Sequence, residues 1–213
     1  MTTLHLAELL CSRLCHDLVS PLGAIQNGLE LIEDVGPDVL EDALGLMGQS
    51  SRRASAVLQA FRMAFGRAGD DPGLRFEAMR DLTVAYFADT RITPAWSIDH
   101  NDPTPPVGYP RAALMLAMVG PDLLPVGGNL TIHCAAGAAP ISLVADGRDA
   151  QVPDAVAAGL TRDLAPDDVT PRTVHLYFLG HWLRDHGLHA EATLTGPEQV
   201  RLTVQASAGL SSR

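Results

Sequence analysis

The chain has 213 residues, enough for one large domain or two small ones, each with its own core. A formal net charge of −10 argues against nucleic-acid binding through phosphate neutralisation. Apolar residues make up 46% of the chain, yet no segment is long and uninterrupted enough to span a bilayer. The start, Met1-Thr-Thr-Leu-His, lacks the basic region of a signal peptide. Cys11, Cys15 and Cys134 form no ligand pattern, so the expected setting is reducing, cytoplasmic and away from membranes. All 15 basic residues are arginine, which leaves no lysine for a nucleotide site that needs one.

Residues 3 to about 33 predict a first helix, with a bend at Pro21. At about 100° per residue, Ala7, Leu10, Cys11, Leu14, Leu18, Leu22, Ile25, Leu29 and Ile32 gather on one side. His16 points the other way, sharing its face with Leu9, Ser12, Arg13, Val19, Ser20 and Gly23. One imidazole thus stands outward among small neighbours that leave room for something to approach.

Asp34-Val-Gly36-Pro37-Asp38 is a tight turn, and residues 38–67 form a second helix antiparallel to the first. Its positions 40, 44, 47, 51, 54, 58, 61 and 65 alternate steps of four and three, the spacing of a coiled-coil seam. Such a hairpin exposes too much apolar surface to stand alone. It predicts a homodimeric four-helix bundle, the other solution being a hairpin packed on the rest of its own chain. Gly66–Gly73 is a linker. Beyond it come a helix (76–89), a strand (93–99), a Pro-rich loop (101–110) and a helix (111–124). Two strands (129–134 and 141–145), helices at 155–161 and 171–185, and strands at 190–194 and 200–205 follow, before a Ser/Gly-rich tail. The fold class is therefore two-domain: an α hairpin over 1–68 and an α/β sandwich over 73–207.

The string His16-Asp17-Leu18-Val19-Ser20-Pro21-Leu22 resembles the H-box of histidine kinase dimerisation domains. The fuller string Cys-His-Asp-Leu-Val-Ser-Pro-Leu-Gly-Ala-Ile-Gln-Asn-Gly-Leu-Glu-Leu resembles the ChpT family of bacterial histidine phosphotransferases. The second half is similar in element order to the histidine kinase ATP-binding (Bergerat) domain. Val107-Gly-Tyr-Pro-Arg111 resembles that domain's approach to its first nucleotide helix, and Arg184-Asp-His-Gly187 the end of its last. The departures weigh more. Leu116–Pro121 has no Mg²⁺-binding asparagine, with Asp122 as the one substitute. Asp146-Gly-Arg-Asp149 puts charged side chains where glycines should let the nucleotide close. Thr170-Pro-Arg-Thr173 has no glycine nest for phosphate. The expectation is a degenerate domain that holds no ATP.

The resemblance implies that His16 accepts a phosphoryl group from the receiver aspartate of a CckA-like hybrid kinase. It then passes the group to CtrA- or CpdR-like response regulators of the cell cycle. No cofactor or metal site is expected, since Mg²⁺ comes with the receiver. Neutral imidazole is a competent nucleophile near pH 7, and the transfer is largely alignment and charge neutralisation. Asp17 is read as orienter of the ring or its acid/base neighbour, and Arg13 and Ser20 as contacts to phosphoryl oxygens. Arg52 and Arg53 could join them, and for all three arginines the alternative is a solvated or paired side chain. Leu9, Ser12, Val19 and Gly23 are the expected receiver-docking face. His181, His186 and His189 are weighed as a metal run against a helix-end cation at His186. Gly127-Gly-Asn129 is weighed as a phosphate loop against a turn into a strand. Two other functions stay open: an atypical ATP-dependent histidine kinase, and a non-catalytic module that sequesters receivers.

Overall fold

The computed structural model describes residues 1–99, 105–135, 137, 140–161 and 163–207. Parts of the expected Pro-rich loop (101–104), of the turn before the third strand (138–139) and of the tail (208–213) lie outside the described residues.

Helix α1 (Thr3–Val35) starts at an N-cap, Thr2, whose hydroxyl accepts from the His5 N–H, and runs on through Pro21. It ends at Gly36, whose φ of +89° suits only glycine; the Gly36 N–H closes the last turn on the Ile32 carbonyl. A single 3₁₀ turn (Pro37–Val39) leads into α2 (Leu40–Phe65). The helices approach closely at Gly28, where a Cβ would stand 2.6 Å from Met47 Cγ.

The apolar stripes expected on the two helices prove to be two adjoining faces each. On α2, Ala43, Ser50, Ala54, Val57, Phe61 and Ala64 are buried, a four-three series one position off the predicted seam. Ala54 and Phe61 belong to both series, but Leu40, Leu44, Ser51 and Leu58 are exposed. On α1, Leu10, Leu14, Leu18, Ile25 and Ile32 are half-buried, while Ala7, Cys11, Leu22 and Leu29 are exposed. One edge of each stripe packs within the chain and the other stays open.

The linker does not separate two cores. Val57, Ala60, Phe61 and Ala64 of α2 share one apolar cluster with Met79 and Phe87 of α3 (Phe76–Phe87) and with Leu114 and Met115 of α4 (Tyr109–Ala117). Helix α4 is buried along its whole length. The expected helix 111–124 is two pieces, α4 and the single turn α5 (Gly120–Leu123), because Pro121 cannot continue the ladder.

The sheet has the order β1-β2-β3-β5-β4, where β1 is Ile92–Ile98, β2 Gly128–Cys134, β3 Ile141–Asp146, β4 Leu188–Gly196 and β5 Gln199–Ala206. Only β1 and β2 are parallel. Alternation places three rows on the inner face: Leu130–Ala145–Val200, Ile132–Leu143–Leu202 and Cys134–Ile141–Val204. Helices α4, α6 (Asp154–Thr161) and α7 (Val174–Asp185) lie against the sheet, giving the expected two-layer α/β sandwich. Gly127 and Gly128 are a turn into β2, since a Cβ on Gly128 would lie 2.4 Å from the Asp146 carbonyl oxygen. Among the described residues, no helix is long and apolar enough to cross a membrane.

Arg111 ties the hairpin to the sandwich. It is buried, donates Nε–H to the Ala64 carbonyl at 3.0 Å, pairs with Asp70, and lies over the Trp182 ring at 5.2 Å. Burial lowers the Arg111 pKa, and Asp70 opposes that shift. Gly69 sits under this contact: its Cβ would meet the Met63 carbonyl oxygen at 2.1 Å and Arg111 Cδ at 2.7 Å. Gly69→Ala is therefore expected to cost about 1–3 kcal/mol in denaturant unfolding, as backbone overpacking does. The buried Cys134 thiol is pushed up to about 12 by burial first and Glu77 second. At pH 8 it stays a thiol, so iodoacetamide followed by peptide mass mapping is expected to leave Cys134 unmodified in native protein and alkylate it in denaturant.

Candidate phosphotransfer site

His16 lies midway along α1, and its side chain is 85% exposed. Its Nδ1 is 3.2 Å from Asp17 Oδ1. A carboxylate only accepts, so the ring hydrogen belongs on Nδ1 and Nε2 carries a lone pair toward solvent. The second Asp17 oxygen, Oδ2, accepts from Arg13 Nε at 3.3 Å, one turn back on the same helix. Asp17 is only 20% exposed, so this bridge is sheltered beside an open imidazole.

Arg13 then crosses to the sandwich. It donates to the Arg172 carbonyl at 2.7 Å and to His175 Nδ1 at 3.2 Å. His175 is buried on α7, and its Nε2 is 2.9 Å from Asp122 Oδ2 on α5. A guanidinium has only donors, so His175 Nδ1 accepts and Nε2–H donates to Asp122. Five side chains thus run in an unbroken line, His16–Asp17–Arg13–His175–Asp122, from the surface of α1 into the sandwich. Tyr86 of α3 is buried in the field of this line. Burial first and Asp17 second raise its pKa, while Arg13 and Arg53 oppose them, so it stays a neutral phenol near pH 7. Arg53 lies 4.9 Å over that ring.

The sequence-derived residues separate. His16, Asp17, Arg13 and Ser12 line one cleft of about 660 Å³ with Pro121, Asp122, Thr170, Pro171 and Arg172. Ser20, Val19 and Gly23 are exposed further along α1. Leu9 is a correction: it is buried against Val169 and Val174, so it offers no docking surface. The helical wheel puts Leu9 on the His16 face correctly, but the sandwich covers that face near the N-terminus of α1. Arg13 follows the paired alternative. Its side chain is 17% exposed, and its guanidinium is engaged with Asp17, Arg172 and His175. Arg53 likewise turns to Tyr86, whereas Arg52 is exposed.

Sequence reasoning missed His175 and the Arg172 carbonyl. The one signal was a histidine inside the apolar pattern Val174-His-Leu176 of a predicted helix, where a polar side chain needs a partner. The three histidines singled out instead do not converge. His181 Nδ1 meets the Tyr177 carbonyl at 2.9 Å, His186 Nδ1 the Trp182 carbonyl at 2.8 Å, and His189 meets Gln205. Among the described residues no group of three or more His, Cys, Asp or Glu side chains is placed to hold a metal. The residues at the nucleotide-box positions are also engaged: Asp122 with His175, and Asp146 as acceptor from Gln199 Nε2 at 2.9 Å.

A family model described as the histidine phosphotransferase C-terminal domain matches residues 76–198. Protein phosphotransferase ChpT of Brucella abortus (strain 2308) is 38% identical over 135 residues, which are 62% of this chain and 62% of that protein. The aligned stretch thus spans less than two thirds of that relative's length. A solved structure described as a bacterial phosphotransferase superposes with a TM-score of 0.80 at 29% identity, covering 96% of this chain and 98% of that one. Because the family model covers more than half of the chain, and the fold over nearly its full length agrees, this chain belongs to the histidine phosphotransferase family of which ChpT is a member.

Proposed function

We propose that the protein is a histidine phosphotransferase of a bacterial phosphorelay, which takes a phosphoryl group on His16 from a receiver aspartate and returns it to another. The observation that carries the reading is the exposed Nε2 of a ring whose Nδ1–H is already given to Asp17. In the transfer, the Nε2 lone pair attacks phosphorus and the bond to the aspartyl oxygen breaks, its electrons leaving with the carboxylate. The ring keeps its Nδ1 hydrogen and becomes a cation beside the Asp17 carboxylate, which stabilises it. Ser20, exposed one turn on, is the proposed contact to phosphoryl oxygens. The Mg²⁺ is the receiver's. Ser12, Val19 and Gly23 form the docking face, with the cleft wall at Pro171 and Arg172 as its second side.

Three observations support transfer without ATP. The fully buried α4 presents no polar face where a nucleotide helix would hold Mg²⁺ and phosphates. Asp122 and Asp146 are bonded within the protein. Arg148 stands two residues after Asp146, where the kinase motif has glycine, and its side chain would stand in the way of close approach. The donor and acceptors proposed are the receiver domains of a CckA-like hybrid kinase and of CtrA- and CpdR-like regulators, in a reducing cytoplasm where the three cysteines stay free. The test follows radioactive phosphate. Label is expected to pass to wild type from a phosphorylated receiver and not from ATP, and His16→Ala is expected to take none from either. Labelling of wild type by ATP alone overturns the reading in favour of a kinase. Wild type that binds a phosphorylated receiver but takes no label from it overturns the reading in favour of sequestration, and unimpaired labelling of His16→Ala overturns His16 as the acceptor.

The open apolar face is proposed as the homodimer interface. Leu22 and Leu29 on α1 and Leu44 and Leu58 on α2 are exposed at heptad-compatible positions. Burying each against a second hairpin is worth about 1.5–3 kcal/mol. Light scattering is expected to give twice the chain mass for wild type and one chain mass for Leu22→Arg/Leu44→Arg; a monomeric wild type removes the four-helix bundle.

A further inference from the structure

The sandwich carries no nucleotide chemistry in the proposed function, yet it is bonded to the line of side chains that ends at the phosphoacceptor. Without a partner, Arg13 is a long side chain with several rotamers, and its hold on Asp17 is an ordinary surface pair, worth little. Here the guanidinium is fixed at its far end by the Arg172 carbonyl and by His175 Nδ1. His175 is fixed in turn by Asp122, and the ring is buried. Every contact in the line has one chemically consistent assignment: Asp122 accepts, His175 Nε2–H donates, Nδ1 accepts, Arg13 donates twice, and Asp17 accepts from both Arg13 and His16.

Resting on the His16 phosphoacceptor reading, we infer that Arg13 and His175 are positioning residues for phosphotransfer: together they hold Asp17 so that His16 keeps its hydrogen on Nδ1 and takes the phosphoryl group on Nε2 alone. The sandwich thereby acts on the chemistry of α1 as a brace. Its former nucleotide-face position, Asp122, is the anchor. Neither Arg13 nor His175 touches the phosphoryl group. They act through Asp17, and their loss frees the ring to sample the other tautomer, in which Nδ1 is the nucleophile.

Two conservative replacements separate the two ends of His175. His175→Asn places an amide oxygen near the Nδ1 position and keeps the acceptor for Arg13. His175→Gln places an amide NH₂ near the Nε2 position and keeps the donor for Asp122, but withdraws the acceptor for Arg13. Phosphoramidate serves as donor, so that receiver docking does not enter: the Nε2–P bond forms, the P–N bond breaks, and ammonia leaves. Wild type and His175→Asn are expected to give Nε2-phosphohistidine only, read by ³¹P NMR or isomer-specific antibodies, at rates within about threefold of each other. His175→Gln and Arg13→Gln are expected to lose about tenfold to a hundredfold in rate, the range for losing the partner that orients an imidazole, and to show the Nδ1 isomer.

The inference is overturned if Asn and Gln behave alike, or if Arg13→Gln leaves both rate and isomer unchanged. A measurement on wild type guards against variants that fail to fold: ¹⁵N shifts of His16 are expected to report hydrogen on Nδ1, and hydrogen on Nε2 sinks the proposal without any substitution. Failure of the underlying reading looks different. In that case phosphoramidate labels His16 with the expected isomer, but a phosphorylated receiver does not.

Discussion

Arg13 is a cation on α1 that meets acceptors from two distant parts of the chain: the Asp17 carboxylate on its own helix, and the Arg172 carbonyl and His175 ring of the sandwich. The contact is partly shielded from water, and it engages a group with donors only. Such a group is costly to leave unpaired in a half-buried position, so its acceptors must stay in place. That fixes the rotation of α1 relative to α7 and decides which part of the His16 face is open. The N-terminal part, with Leu9, lies under the sandwich. The part from Ser12 to Gly23 remains exposed or opens onto the cleft.

A second arginine does the same for the other helix of the hairpin, at the same open end. Arg111 reaches from α4 to the last turn of α2 and to Asp70 in the linker, over the Trp182 ring. Between the two clamps the apolar core runs without a break from Val57 of α2 to the sheet. The 3₁₀ turn at Arg67–Asp70 is therefore a packed corner, with Gly69 where no side chain fits. With α1 joined to the sandwich at Arg13 and α2 joined to it at Arg111, the position of His16 is set by the fold as a whole rather than by a free helix. This suits a site whose task is alignment.

The polar side chains of the sandwich near the cleft and the sheet edge are bonded within the protein. Asp122 bonds His175 and Asp146 bonds Gln199, while α4 is wholly buried. A helix buried on all sides gains stability from being apolar all round. The distal half of the hairpin went the other way. It keeps leucines exposed on both helices, a surface that water disfavours and another copy of the same hairpin would cover.

The order and type of the elements, the hairpin and the outward imidazole are legible in the sequence because they rest on local periodicity, on glycine and proline, and on one short motif. The α2 seam was legible only in part. Spacing alone does not tell which edge of a wide apolar stripe faces the sister helix: Ala43, Ser50 and Ala64 pack within the chain, while Leu44 and Leu58 are exposed in it. Leu9 and Arg13 were read as surface because a helical wheel knows nothing of what arrives from 160 residues away. The sequence by itself determined that a histidine followed by an acid would stand out from a helix. Only the tertiary structure decided that the acid is held by Arg13, that Arg13 is held by the sandwich, and that His175 closes the line, since those contacts exist only where two remote stretches are packed together by a shared core.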